Sequence, residues 1–162
     1  LYLSPPQGAV AIPVQKVTEQ PKPNLPPRKG ILNIAVAEFT GRNVSDMSAA
    51  VVADFVREVL VKDPRYRVVD RGNMEKIMAE QKIQMTGCTS SECAIKIGRL
   101  LNVQKIIVGS LAELKDIYYI NVSVIDVESG QLVLSDTAKC KSAEQLDQTT
   151  HELAQRLAEN IR

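Results

Sequence analysis

Apolar positions change their period repeatedly after Gly30, and each change marks an element. Residues 31–39 form an apolar run closed by Thr40 and Gly41, of a length that suits a buried strand. Ala49, Val52, Ala53, Val56, Val59 and Leu60 then recur every three or four residues, the spacing of one helical face. Ser45 and Asp46 stand where that helix needs a cap, and Asp63-Pro64 ends it. Residues 66–69 predict a short strand, after which Asp70 caps a helix with Met74, Ile77 and Met78 on its apolar stripe. Ala94, Ile95, Ile97, Gly98, Leu100 and Leu101 predict a third helix. Residues 105–114 follow as a strand whose unbroken Ile106-Ile107-Val108 run predicts a central place in a sheet.

Residues 117–127 and 131–139 are set off by the short turns Lys115-Asp116 and Glu128-Ser129-Gly130, so antiparallel pairing is the economical arrangement. In the first of these strands Tyr118, Ile120, Val122 and Val124 alternate with Tyr119, Asn121 and Ser123, which gives one dry face and one wet one. A closing helix with Leu146, Thr150, Leu153, Leu157 and Ile161 on one stripe would lie on the dry face. The order is β-α-β-α-α-β-β-β-α. Right-handed crossovers then predict an α/β domain over residues 31–162. Its five-stranded mixed sheet has the order 2-1-3-4-5, with only the fourth strand antiparallel.

The first thirty residues are built differently. Seven of the eight prolines fall there, at 5, 6, 13, 21, 23, 26 and 27. Proline fixes its own φ and biases the preceding residue toward extended geometry, so residues 1–30 predict a semi-rigid strap. Ala9, Ile12, Val14, Pro21, Pro23, Leu25, Pro26 and Pro27 are its candidate contacts with a neighbouring subunit or with the domain's own surface; the alternative is a passive tether. The strap carries Lys16, Lys22, Arg28 and Lys29 against Glu19, whereas the remainder holds 16 basic and 18 acidic side chains. With that balance and 4% aromatic residues, the domain lacks the basic, ring-studded surface of a nucleic-acid binder. No apolar run reaches the roughly 18 residues of a membrane-spanning helix.

Catalytic patterns are missing. The lone histidine, His151, lies in a segment where a zinc-protease helix would carry a second histidine in place of Gln155, and it reads as a solvated or half-buried side chain. The eight glycines are scattered singly and form no phosphate-cradling loop. Asp126 with Glu128, and Asp116 with Glu113, read as turn residues rather than as an acid/base pair or calcium site. No catalytic residue, cofactor or metal is therefore expected. Cys88 and Cys93 are the most specific local feature. With Thr89 as N-cap, Glu92 would complete a capping box, and the two cysteines would take the positions that a hydrophobic staple brings together. A structural disulfide is the first reading and free thiols the second. A ring this small would contribute roughly 2 kcal/mol, and it would place the chain in an oxidising compartment. Cys140 is left over and is expected to be buried or half-buried.

Several phrases together resemble a known family: Ile34 to Gly41, Tyr66 to Arg71, Gly87-Cys88 with Cys93 to Gly98, Val108-Gly109-Ser110, and Val124 to Gly130. In this order they are similar to the CsgG-type bacterial envelope proteins, which include the core of the curli secretion channel, the amino-terminal domain of TolB and LpoB-like lipoproteins. The resemblance implies an anticodon-binding-like fold, in agreement with the sheet order reached above, and offers no catalytic residues. A curli channel needs long inserted hairpins, with about 9 to 11 residues per membrane-crossing strand. No connection here has that length, so the soluble core without a pore is expected. The implied role is a non-enzymatic accessory or scaffold module of the periplasm or outer membrane that binds another envelope protein or itself, as in a ring-like oligomer. Its membrane link would be only a lipid anchor upstream of residue 1. The alternatives are a subunit of a CsgG-like outer-membrane secretion or assembly complex, and an RNA-binding domain of anticodon-binding type.

Overall fold

The computed structural model describes residues 30–82 and 90–161. β1 (Leu32–Val36) and β2 (Thr40–Arg42) lead into α1 (Asp46–Lys62), β3 (Tyr66–Val68), α2 (Arg71–Glu80) and α3 (Ser91–Leu100). The meander β4 (Lys105–Leu114), β5 (Ile117–Asp126) and β6 (Leu132–Cys140) follows, and α4 (Leu146–Asn160) closes the chain. The main path of the sheet is β3-β1-β4-β5-β6, with β1 parallel to β3 and β4, and β5 antiparallel to β4 and β6. That is the order expected from the crossovers.

The sheet has six strands, not five, because the predicted strand over residues 31–39 breaks in two. β1 pairs with the first part of β4, ending at Val36 opposite Ile107, and β2 resumes beside the same strand with Thr40 opposite Ser110. Four residues are thus spent where β4 spends three, a one-residue surplus of the kind that makes a bulge. Ile34 and Val36 face one core, yet Phe39, of opposite parity, is buried in that same core. Gly109 makes this possible, since a Cβ there would lie 2.6 Å from the Phe39 ring and 2.7 Å from the Asn121 carbonyl oxygen. Thr40 and Gly41, which read as the end of a run, are a strand.

Two cores flank the sheet. α1 and α4 cover one face, where Val52, Val56, Leu60, Leu153 and Leu157 meet Ile107, Leu111, Ile120, Val122 and Val124. α2 and α3 cover the other, where Met74, Met78, Ala94 and Ile97 meet Ala35, Ala37, Ile106 and Ile125. The expected caps hold at two helices: the Ser45 side chain accepts from the Ser48 N–H at 3.1 Å, and Asp70 from the Asn73 N–H at 3.0 Å. At α3 the cap is Ser90, which accepts from the Cys93 N–H at 3.3 Å, rather than Thr89. This shift by one residue makes Cys93 the third helical residue rather than the fourth. The tight β4–β5 turn is made by Lys115 and Asp116 with φ of 51° and 61°, the left-handed pair that a two-residue hairpin requires.

Candidate functional site

α2 and α3 cover only part of their face of the sheet. Beyond Ile106 and Ile125, the side chains on that face are mostly polar, in cross-strand rows fixed by register. One row runs Thr40, Ser110, Asn121, Thr137; a second runs Val108, Ser123, Ser135; a third runs Arg42, Ala112, Tyr119, Lys139. Three neighbouring pairs in the first two rows are joined. Thr137 Oγ1 donates to Asn121 Oδ1 at 2.9 Å, Asn121 Nδ2 donates to Ser110 Oγ at 3.4 Å, and the hydroxyls of Ser123 and Ser135 lie 3.2 Å apart. A shallow recess of about 140 Å³ lies over this patch, lined by Thr40, Arg42, Ser110 and Asn121 among others. The wet face expected of β5 is thus real, and it continues across three neighbouring strands.

The patch adjoins a free edge. β6 ends the sheet, so among the described residues one side of its nine-residue backbone has no strand partner. Leu132 and Val133 at its start are 60% and 46% exposed, beside a register irregularity opposite Val124 and Ile125. Such an edge is a template for pairing, and the irregularity blunts only one end of it.

Parallel α/β sheets often bind ligands beyond the carboxyl ends of their strands, where neighbouring crossovers diverge. Here Glu38, just after β1, occupies that region together with Asp54 and Arg57 of α1 and Arg71 of α2. Arg57 is 92% buried, continuing the Ala49, Ala53 stripe into the core. It donates to the Val36 carbonyl at 2.9 Å and to Asp54. Arg71 approaches Glu38 at 3.0 Å and Asp54 at 3.2 Å. Burial lowers the Arg57 pKa against the pull of Asp54 and Glu38. Burial also opposes the Arg71 charge, but Glu38, Asp54 and Glu75 outweigh it and raise its pKa. The network ties the sheet to two helices and fills the crevice with its own ion pairs. Periodicity did not single out Arg57, although its place four residues after Ala53 marks it as inward-facing.

The residues weighed for chemistry take local roles. Asp126 accepts from Lys105 Nζ at 2.6 Å and from the Ser129 N–H and hydroxyl at 2.8 and 2.9 Å, which together hold its carboxyl down at about 2. Asp116 forms the hairpin turn. His151 is half-buried, with Nδ1 2.8 Å from the Asp147 carbonyl oxygen and its ring 5.5 Å from that of Phe55. Cys140 is buried at the end of β6. Cys88 and the strap residues Ala9, Ile12, Val14, Pro21, Pro23, Leu25, Pro26 and Pro27 lie outside the described residues. Among the described residues, no three His, Cys, Asp or Glu side chains are grouped to hold a metal ion, and no helix is long and apolar enough to cross a membrane.

The family model for the curli production assembly/transport component CsgG matches residues 14–117, more than half of the chain. This chain belongs to the CsgG family. Among solved structures, the LpoB C-terminal domain from Salmonella enterica is similar, with a TM-score of 0.58 at 13% identity over 68% of this chain and 83% of that one. A PelC dodecamer subunit from Paraburkholderia phytofirmans gives 0.53 at 13% identity over 83% and 92%. The lipoprotein GNA1162 from Neisseria meningitidis gives 0.59 at 10% identity over 81% and 99%. At these identities the structural likenesses bear on the fold. No curated protein matches significantly. The CsgG match begins at Val14, inside the proline-rich segment, and so extends well upstream of β1.

Proposed function

We propose that this CsgG-family chain is a non-enzymatic accessory or scaffold module of the bacterial cell envelope. It acts by binding another envelope protein or further copies of itself, in the periplasm or at the outer membrane. The observation that carries the reading is the part of the sheet that, among the described residues, α2 and α3 leave uncovered: three mostly polar rows, two of them with cross-strand hydrogen bonds, beside the β6 edge. The short side chains held by one another in the first two rows lose little entropy when covered, and the edge offers backbone pairing, which together suit protein docking. The arrangement presents no nucleophile held by a base and no confined pocket around it. The family, and neighbours titled as a lipoprotein and as a dodecamer, support placement in the envelope and self-assembly as one form of binding. The tight turn between β4 and β5 and the short one between β5 and β6 support a core without pore-forming hairpins at those positions.

The test is capture from a bacterial envelope extract and sedimentation of the purified full chain. Asn121→Arg with Thr137→Arg should abolish the captured envelope protein or the self-assembled species while the melting temperature holds. Lys62→Glu, on the opposite layer, should do neither. Capture and sedimentation that survive the double arginine variant, or retention of RNA alone, would refute the assignment.

A further inference from the structure

Among the described residues, the open sheet face and the helical layer on the sheet's other side carry unpaired charge of opposite sign. None of the three rows holds a carboxylate, and the third begins at Arg42 and ends at Lys139, both exposed. Neither of these cations has an ion-pair partner among the described residues. Three strand spacings separate them, about 14 Å. Across the sheet the balance reverses. α1 and α4 hold six carboxylates against three Lys or Arg side chains, and each of those cations is taken within the chain: Arg57 by Asp54, Lys62 by Glu58 and Arg156 by Asp136 of β6. Leu153, Ala154, Leu157 and Ala158 turn α4 toward its core, which leaves Gln148, Glu152, Gln155 and Glu159 as a fully exposed stripe on its outer side, at the spacing of one helical face. Gln148 Nε2 donates to Glu152 at 3.0 Å, and Arg65, near Glu159, is clasped by Asp63.

We infer that a second copy of this chain occupies the open face, with the α4 stripe of one copy laid over the rows of the next and Glu152 and Glu159 turned toward Arg42 and Lys139. This names the partner in the self-associating form of the function proposed above, and it rests on that reading. Three observations select this occupant. The first is charge: the basic face and the acidic stripe attract, whereas pairing either surface with its own kind sets like charges against each other. The second is shape. α4 has 15 residues and is about 22 Å long, enough to cross the four strands, and a helix on this face continues the cover that α2 and α3 begin. Glu152 and Glu159 are about 10 Å apart along the helix, and their side chains and those of the two cations are long enough to close the difference. The glutamines between them meet the hydroxyl and amide groups of the first two rows. The third is position: stripe and rows lie on opposite sides of one sheet, so the contact is head-to-tail, and every copy added presents a fresh open face.

The experiment is sedimentation of the purified full chain and of two charge-neutralised variants, Arg42→Gln with Lys139→Gln, and Glu152→Gln with Glu159→Gln. All four side chains are exposed, so the melting temperatures should match that of the wild type. The wild type should self-associate at about 50 mM salt and at least about tenfold more weakly at about 500 mM. Each variant alone should associate at least about tenfold more weakly than the wild type. Mixed in equal amounts, the two variants should form a 1:1 dimer and nothing larger, because each keeps the surface that the other has lost. A wild type that stays monomeric up to about 100 μM, variants that assemble as the wild type does, or a mixture that stays monomeric would overturn the inference. The broader reading fails separately. A monomeric wild type that still captures an envelope protein, or assembly that Asn121→Arg with Thr137→Arg abolishes and both glutamine variants keep, overturns the head-to-tail contact and leaves the docking face in place.

Discussion

Gly109→Ala tests whether the Phe39 ring and the β1–β2 interruption are locked to one residue. The added methyl would meet Phe39 Cε2 and Cζ at 2.6 Å and the Asn121 carbonyl oxygen at 2.7 Å, both inside the closest approach real Cβ atoms show. Ring and carbonyl are not free to give. Phe39 is 4% exposed in the larger core, and Asn121 lies within the ten-pair β4–β5 ladder. Overpacking of this kind costs typically 1–3 kcal/mol, and backbone involvement argues for the upper half. Replacing glycine by alanine in a strand recovers roughly 0.5–1 kcal/mol, so the net loss should be about 2 kcal/mol. For a folded unit of this size, with an unfolding entropy near 2.1 cal/mol/K per residue, that lowers the melting temperature by about 7 °C. Thermal melts of wild type, Gly109→Ala, Phe39→Leu and the double variant close the test. Phe39→Leu alone should cost about 1 kcal/mol. The double variant should then be at least about 1 kcal/mol more stable than additivity predicts, because the smaller side chain vacates the space the methyl needs. A Gly109→Ala shift below 2 °C, or strictly additive losses, would show that the contact is relaxed and the argument wrong.

Arg57→Ala should cost about 2–4 kcal/mol by urea denaturation, since it leaves the Val36 carbonyl without its side-chain donor, and Arg57→Met, which refills the volume, should cost less. The Asp126 carboxyl titrates near 2 when folded against an ordinary 3.8, so the stability it contributes is present above about pH 4 and is lost as pH falls toward 2. Asp126→Asn should therefore flatten that part of the stability-versus-pH curve, and an unchanged slope would contradict the Lys105 and Ser129 contacts as its cause. For the Cys88–Cys93 bridge, alkylation of native material unfolded without reductant should label one cysteine, Cys140, and after reduction all three; three labels without reductant would exclude the bridge.

Most of the strand order was legible because each long element announces its period. The unbroken apolar run of β4 marks it as central, and the alternation in β5 marks its open face. The closing stripe from Leu146 to Ile161 gives α4 its side of the sheet. The break between β1 and β2 was not legible. A one-residue surplus leaves no trace in local hydrophobicity, since Ala37 and Phe39 are apolar and buried in different cores. The α3 cap was misplaced because Thr89, Ser90 and Ser91 are chemically equivalent as caps, and packing of Ala94 and Ile97 against the sheet decides among them. The polar rows were only half visible. Asn121 and Ser123 signalled a wet face, but joining them to Ser110, Ser135 and Thr137 requires the pairing register, which is a long-range property. Arg57 and Arg71 stayed hidden for the same reason, as Arg57 reaches the Val36 carbonyl of β1 and Arg71 reaches Glu38 and, in α1, Asp54.

The surplus residue between Val36 and Thr40 is absorbed at the joint, so what is threaded after it keeps its faces. Removing one position there would set three steps against the three of β4, and plain alternation would then keep Phe39 in its present core and Thr40 and Arg42 on the open side. A single-residue gap at this joint would therefore straighten the strand without inverting it, and family members that carry one should keep the same residues on the same two faces.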